Sequence, residues 1–335
     1  MIMMTDFAIL LEAFFCKYLS VERGCSPNTV ANYKDTFVAL LNYLSTEKHL
    51  LPSKVKMELF DFDLINSFLD WLEAEKKISV STRNNRLAGL KSFFKYVSLH
   101  EPVHLNRCNS VLAIKAKKTE TSAVNYLTIP AWEYLLKSFD LNNPEDLRDF
   151  CIIATLYESA ARVSELIGVL CDEVRLDPPS TMILHGKGKK TRIVPLDPEI
   201  AHQLKRYLKR RKAKNSEYLF TNMRGESLTR RGVDYILQKH FSKVKASNSS
   251  LFPDKISPHC LRHSRAMHLL ENNVNMIYIR DILGHSSVTT TEIYSKTNPE
   301  IKRKHIEEAT KQIIDHEDYD EQKQDELLTW LKDNF

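Results

Sequence analysis

Glycine is scarce in this sequence, with 8 among 335 residues. A chain so poor in the residue that turns tight corners is not assembled from many short strands, and helices are favoured. Cysteine is sparse too: the 6 cysteines, at positions 16, 25, 108, 151, 171 and 260, form no C-x-x-C pair. That excludes a disulfide framework and a zinc-ribbon arrangement, and the thiols read as the reduced ones of a cytoplasmic protein. The 12 histidines include no H-E-x-x-H, and no other cluster suggests a catalytic metal. No run of about 18 apolar residues exists, so no membrane span is expected. The opening MIMMTDFAILLEAFF is apolar but carries Asp6 and Glu12 and no leading basic residues, which reads as a helix rather than a secretory signal. A G-x-x-x-x-G-K-[ST] loop is missing as well; the G-K-G at Gly186 to Gly188 opens no helix and makes a poor nucleotide site.

What is present suggests two domains. The length of 335 residues, a hydrophobic fraction of 43% and a net charge of +5 fit a two-domain helical protein with ample cores and a mild leaning towards a nucleic-acid partner. Four helical periods fill residues 1–100: Thr5 to Ser20, a helix restarting at Ser26-Pro27, Asp63 to Glu75, and Ser79 to His100. Arg83, Arg86 and Lys91 fall largely off the apolar stripe of the fourth, where they serve equally well as a solvated face or as DNA contacts. Residues 101–125 have weak periodicity and carry Lys115, Lys117 and Lys118, as a basic interdomain linker would. A second domain is expected over 126–314. It is followed by an acidic tail, 315–335, that ends in an amphipathic run with Leu327, Leu328, Trp330 and Leu331.

The densest chemistry lies between Ser257 and Tyr294. Ser257-Pro258 is a helix start, and His259 and Arg262 share one face of its first turn. Asn275 can cap a second, short helix that Gly284 would end, with His285 directly after it. Thr289 and Glu292 have capping-box spacing, so a third helix should begin there with Tyr294 in its first turns. An arginine fork flanked by imidazoles suits a phosphate, and a nearby tyrosine is a possible nucleophile. The bland alternative is a helix-turn-helix with surface histidines and a core tyrosine. Upstream, Arg162 follows an apolar run and needs a partner, which Glu165 on the same helix face can supply. Between them, Thr181 to His185 and Thr191 to Pro195 flank a basic, glycine-containing turn and read as the one β-hairpin.

Taken together these elements resemble the tyrosine recombinase (phage integrase) family. The matching residues are R-x-S-E-L from Arg162, GKGKKTRIVPL from Gly186, H-x-L-R-H from His259, L-G-H-S from Leu283, and Tyr294 nine residues after His285. S-x-x-T-x-x-N-Y from Ser26 to Tyr33 fits the family's N-terminal module more loosely. The resemblance implies a mostly α fold with a small antiparallel β-sheet: a helical N-terminal core-binding domain that clamps DNA, plus a tyrosine-recombinase catalytic domain. It implies an active site of Arg162, Lys187, His259, Arg262, His285 and Tyr294, with Glu165 as support. Lys189, Lys190 and Arg192 would be DNA-backbone contacts. Tyr294 would attack a phosphodiester to form a 3′-phosphotyrosyl link, with no cofactor, on double-stranded DNA sites bound by a homotetramer whose C-terminal segments dock in trans. The biological role leans to integration, excision or transposition of a mobile element. Xer-type dimer resolution, a type IB topoisomerase and a non-catalytic DNA-binding regulator are the alternatives.

Overall fold

A computed structural model describes residues 5–119, 125–186, 188, 190–222, 224–285, 330, 332 and 333. The chain divides into two compact units, Met1–Thr121 and Ser122–Phe335. Among the described residues no helix is long and apolar enough to cross a membrane.

The first unit is helical. Helix α1 (Asp6–Ala13) starts where the Thr5 side chain accepts the Ala8 N–H, and it widens into a π-helical stretch, Phe14–Glu22. The bond from Arg23 N–H to Tyr18 O, 2.8 Å, closes that stretch. Ser26 caps α2 (Pro27–Glu47), Asp61 caps α3 (Phe62–Ala74) and Ser79 caps α4 (Val80–His100). Each cap satisfies an amide that would otherwise lack a partner. The core is aromatic: the Phe93 ring lies 5.4 Å from that of Phe14 and 5.2 Å from that of Phe37, both edge-on.

Two expectations change here. The segment read as linker from residue 101 instead forms a helix, α5 (Leu105–Leu112), and Cys108, Val111 and Ile114 are buried in the first core. Their spacing of three is a short apolar stripe, diluted by Asn106, Arg107, Asn109 and Ser110. Arg83 is not on an outer face either. It is 3% exposed, because 83, 87, 90 and 94 form one helical stripe with Leu87, Leu90 and Phe94. Its charge is met by Glu73 at 3.2 Å. Arg86 is tied to α2, its Nη1 donating to Asn32 O at 2.9 Å, and Lys91 is half-buried.

The second unit is built round α7 (Pro144–Glu158), buried almost continuously from Leu147 to Tyr157. Around it lie α6 (Ile129–Lys137), α8 (Val163–Leu166), α9 (Pro198–Arg211), α10 (Arg230–Ser247), α11 (Pro258–Glu271) and α12 (Met276–Leu283). Strands β1 (Val174–Arg175), β2 (Thr181–His185) and β3 (Thr191–Pro195) form an antiparallel sheet in sequential order. Met182 pairs with Val194 and Leu184 with Arg192. Direct partners share a face, so Arg192 stands on the side of the sheet where Met182, Leu184 and Val194 are buried. Helix α10 runs on to Ser247, with Val244 of its last turns still in the core.

Candidate active site

The site begins where α7 ends. Ala160 is fully buried with a φ of +46°, a left-handed turn that redirects the chain into α8. Arg162 is the residue before that helix, with extended backbone, and Glu165 folds back over it. One carboxylate oxygen accepts the Arg162 backbone N–H at 2.9 Å and the other accepts Arg162 Nη1 at 2.8 Å. The expected ion pair therefore exists and also serves as the cap of α8. The Glu165 side chain is 4% exposed and that of Arg162 is 35%, so the carboxylate is the buried anchor and the guanidinium reaches outward. Burial alone would push the Glu165 pKa up. The bonds from Arg192 and from Arg162 outweigh it and hold the carboxyl below the ordinary glutamate value.

Helix α11 supplies the next pair. Ser257 accepts the Cys260 N–H, Pro258 occupies the first turn, and His259 and Arg262 follow. Arg262 is 4% exposed. Its Nη1 donates to Ala160 O at 2.6 Å, and its Nη2 donates to Leu283 O. One guanidinium thus ties the turn before Arg162 to the last residue of α12. Asn275 caps α12 by accepting the Ile277 N–H at 2.9 Å. Gly284, at φ +62°, ends it, and His285 N–H donates back to Arg280 O at 3.1 Å. The four described members of the expected set, Arg162, His259, Arg262 and His285, are brought together by these bonds. Beneath them Ala160, Ala266, Met267, Ile279 and Leu283 form a small apolar cluster.

The electrostatics are those of a positive site. Burial, then the charges of Arg262 and Arg162, lower the His259 pKa. Burial, then Arg262, Arg162 and Arg192, bring His285 down to about 4. His263 is also brought down to about 4, by burial, His259 and Arg262. All three rings are therefore neutral near pH 7, each able to donate one hydrogen bond or to accept a proton. An anion placed between the arginines would offset the repulsion that keeps these imidazoles neutral.

Arg192 requires a correction. It was expected to touch the DNA backbone, yet its side chain is 12% exposed and bonded within the protein. Its Nη2 donates to Glu165 Oε2 at 2.7 Å and its Nε to Ile282 O at 2.8 Å. The signal that locates it is the strand period, since Arg192 and Val194 share the inward face. Lys190 is exposed at the hairpin, which the Gly186 N–H closes on Lys190 O at 2.7 Å. Lys187, Lys189, Tyr294, the helix start expected at Thr289 and Glu292, and the tail leucines Leu327, Leu328 and Leu331 lie outside the described residues. Sequence reasoning gave no role to His268. Its Nε2 donates to Leu127 O at 2.8 Å, which leaves Nδ1 to accept the Tyr157 hydroxyl at 2.6 Å and braces α11 against α7.

Comparison with known proteins shows the family. Residues 126–300 match the Phage integrase family model, and residues 13–101 match that of the phage integrase N-terminal SAM-like domain. A putative integrase/recombinase of Sinorhizobium fredii is 36% identical over 287 residues, covering 86% of each chain. Tyrosine recombinase XerC of Syntrophus aciditrophicus is 33% identical, over 84% of this chain and 91% of that one. Among solved structures, XerH recombinase bound to a palindromic difH substrate in a post-cleavage complex superposes with a TM-score of 0.68. At 22% identity, and covering 86% of this chain and 81% of the other, that likeness speaks for the fold. With both family models matched in chain order and relatives above 30% identity along most of its length, the chain belongs to the phage integrase family of tyrosine recombinases, enzymes that cleave and rejoin DNA.

Proposed function

We propose that this chain is a site-specific recombinase in which Tyr294 attacks a scissile phosphodiester of duplex DNA and forms a 3′-phosphotyrosyl link. The new bond conserves the energy of the old one, so rejoining needs no nucleotide. The observation that carries the reading is the convergence of Arg162 and Arg262 with neutral His259 and His285. Two fixed guanidiniums would neutralise charge growing on the non-bridging oxygens, the electrostatic contribution that dominates such transfers. His259, held neutral by burial and by the same charges, is available to take the tyrosine proton, and His285 to donate a hydrogen bond to the phosphate. Lys187, at the hairpin tip in the sequence, is the proposed general acid for the departing 5′ oxygen. A homotetramer on paired sites, with C-terminal segments docked in trans, is the proposed assembly.

The biological role proposed is integration, excision or transposition of a mobile element. The run Ser264 to Leu270 after the H-x-L-R-H motif and the acidic tail support it. Dimer resolution is the second reading, favoured by the 33% identity to a XerC. The test uses nicked duplexes made from the DNA flanking the gene. In EDTA and without ATP, an SDS-resistant protein–DNA adduct is expected. Its absence both on every flanking sequence and on a chromosomal dimer-resolution site would remove the catalytic reading. Adducts at inverted repeats bordering the gene support the mobile element. Adducts confined to a chromosomal dimer-resolution site would replace it with the second reading.

A further inference from the structure

Arg192 sits at the hairpin end of β3, and two segments of the site close on it. Its Nη2 reaches the carboxylate that holds Arg162, and its Nε reaches the carbonyl of Ile282 at the end of α12. Gly284 packs directly against it: a Cβ at that position would lie 2.9 Å from Arg192 Nη1 and 3.3 Å from both its Cδ and its Cζ. Gly186, at the base of the hairpin loop, is tight against the Glu165 carboxylate instead: a Cβ there would lie 3.3 Å from Glu165 Oε1 and in ordinary contact, 3.8 Å, with Arg192 Nη1. The residue before His285 and the partner of Arg162 therefore close on one guanidinium, and the residue before Lys187 packs against that partner.

We infer that Arg192 is a positioning residue: it fixes Arg162, through Glu165, in register with the His285 turn and the base of the Lys187 hairpin, and it makes no DNA contact. The inference rests on the recombinase reading of the same site. Only a planar fork can serve two acceptors in different segments while lying flat against Gly284; an ammonium is a point charge that satisfies one acceptor well. The Ile282 carbonyl is one of those a helix C-terminus leaves without a partner, and a cation there also suits the helix dipole. Without the fork, Glu165 loses its direct tie to α12, the Arg262 bonds alone join the turn before Arg162 to that helix among the described residues, and the phosphate-gripping groups can drift apart by fractions of an ångström that transfer chemistry does not tolerate.

The test uses the full chain as wild type, Arg192→Lys and Arg192→Gln. Duplex affinity is measured against salt, and adduct formation on a nicked site is measured in single turnover at saturating protein. Unchanged affinity and salt slope are expected for both variants. Both should lose about 10–100-fold in the cleavage rate of the saturated complex, as when a partner that orients an active group is removed. Arg192→Gln combined with Glu165→Gln should cleave no more slowly than the slower single variant, because both changes break one linkage. A salt slope reduced by about one unit in Arg192→Gln and restored in Arg192→Lys, with saturated cleavage unchanged, would identify a phosphate contact and overturn the inference. Losses that multiply in the double variant would overturn it too, and so would parallel loss of binding and cleavage in Arg192→Lys. Absence of an adduct with the wild type would instead count against the recombinase reading, before any variant is compared.

Discussion

Replacing Glu165 by glutamine separates what holds the site together from what reacts in it. The carboxylate accepts three N–H groups, from the Arg162 backbone at 2.9 Å, Arg162 Nη1 at 2.8 Å and Arg192 Nη2 at 2.7 Å. Glutamine keeps the shape but turns one oxygen into an NH₂, which must face one of those donors, and it removes the negative charge that the two guanidiniums share. Breaking a buried ion pair from one side costs about 3–5 kcal/mol. Arg162, with its side chain 35% exposed, can recover part of its hydration, so about 2–4 kcal/mol is expected, most of it from Arg192. In a unit of this size each kcal/mol moves the midpoint by roughly 2–4 °C, so calorimetry near neutral pH should find the variant melting roughly 5–15 °C lower. The pH dependence fixes the cause. The folded-state pKa of Glu165 is depressed, so its contribution is fully present above the unfolded value, about 4.3, and is lost as pH falls through the folded value. The gap between wild type and Glu165→Gln should therefore be largest near neutrality and shrink below about pH 4. A gap that persists unchanged into acid, or no gap at neutral pH, would refute the reasoning.

Other outcomes follow from the same geometry. Lys187→Ala should slow cleavage of an ordinary site but spare a substrate with a 5′-bridging sulfur, which needs no proton to leave; equal losses on both would move the general-acid role to His259. Deleting the residues after Asp315 should leave single-site binding intact and weaken pairing of two sites on native gels. Unchanged synaptic complexes would remove the docking role of the tail.

Much of the fold was legible because its punctuation is local. Ser26, Ser79, Ser257 and Asn275 all cap the helices that their positions announced, and Gly284 adopts the left-handed conformation its place required. The hairpin strands fall on Thr181–His185 and Thr191–Pro195 as their β-prone runs suggested. Arginine partners were harder to read. Charge in a sequence suggests exposure, yet Arg83 continues a buried stripe and Arg192 an inward strand face; what each meets, Glu73 and Glu165, is distant along the chain. The periods of 3.6 and 2 held the information, but the preference for placing cations outside overrode it. The bonds from Arg262 to Ala160 O and Leu283 O were out of reach for another reason: backbone carbonyls carry no sequence signature. Helix α5 was missed because its buried stripe, Cys108 and Val111 continued by Ile114, is too short to distinguish from a loop.

The central claim is that one tyrosine carries the covalent step, and its removal tests that claim most directly. Tyr294→Phe keeps the ring and removes the attacking oxygen. On a nicked duplex carrying the recombination site, in EDTA and without ATP, the wild type should form an SDS-resistant adduct. The variant should bind the same duplex with near-normal affinity and form none. An adduct that persists in Tyr294→Phe would contradict the account and pass the nucleophile's role to another tyrosine, Tyr319 in the acidic tail being the next candidate.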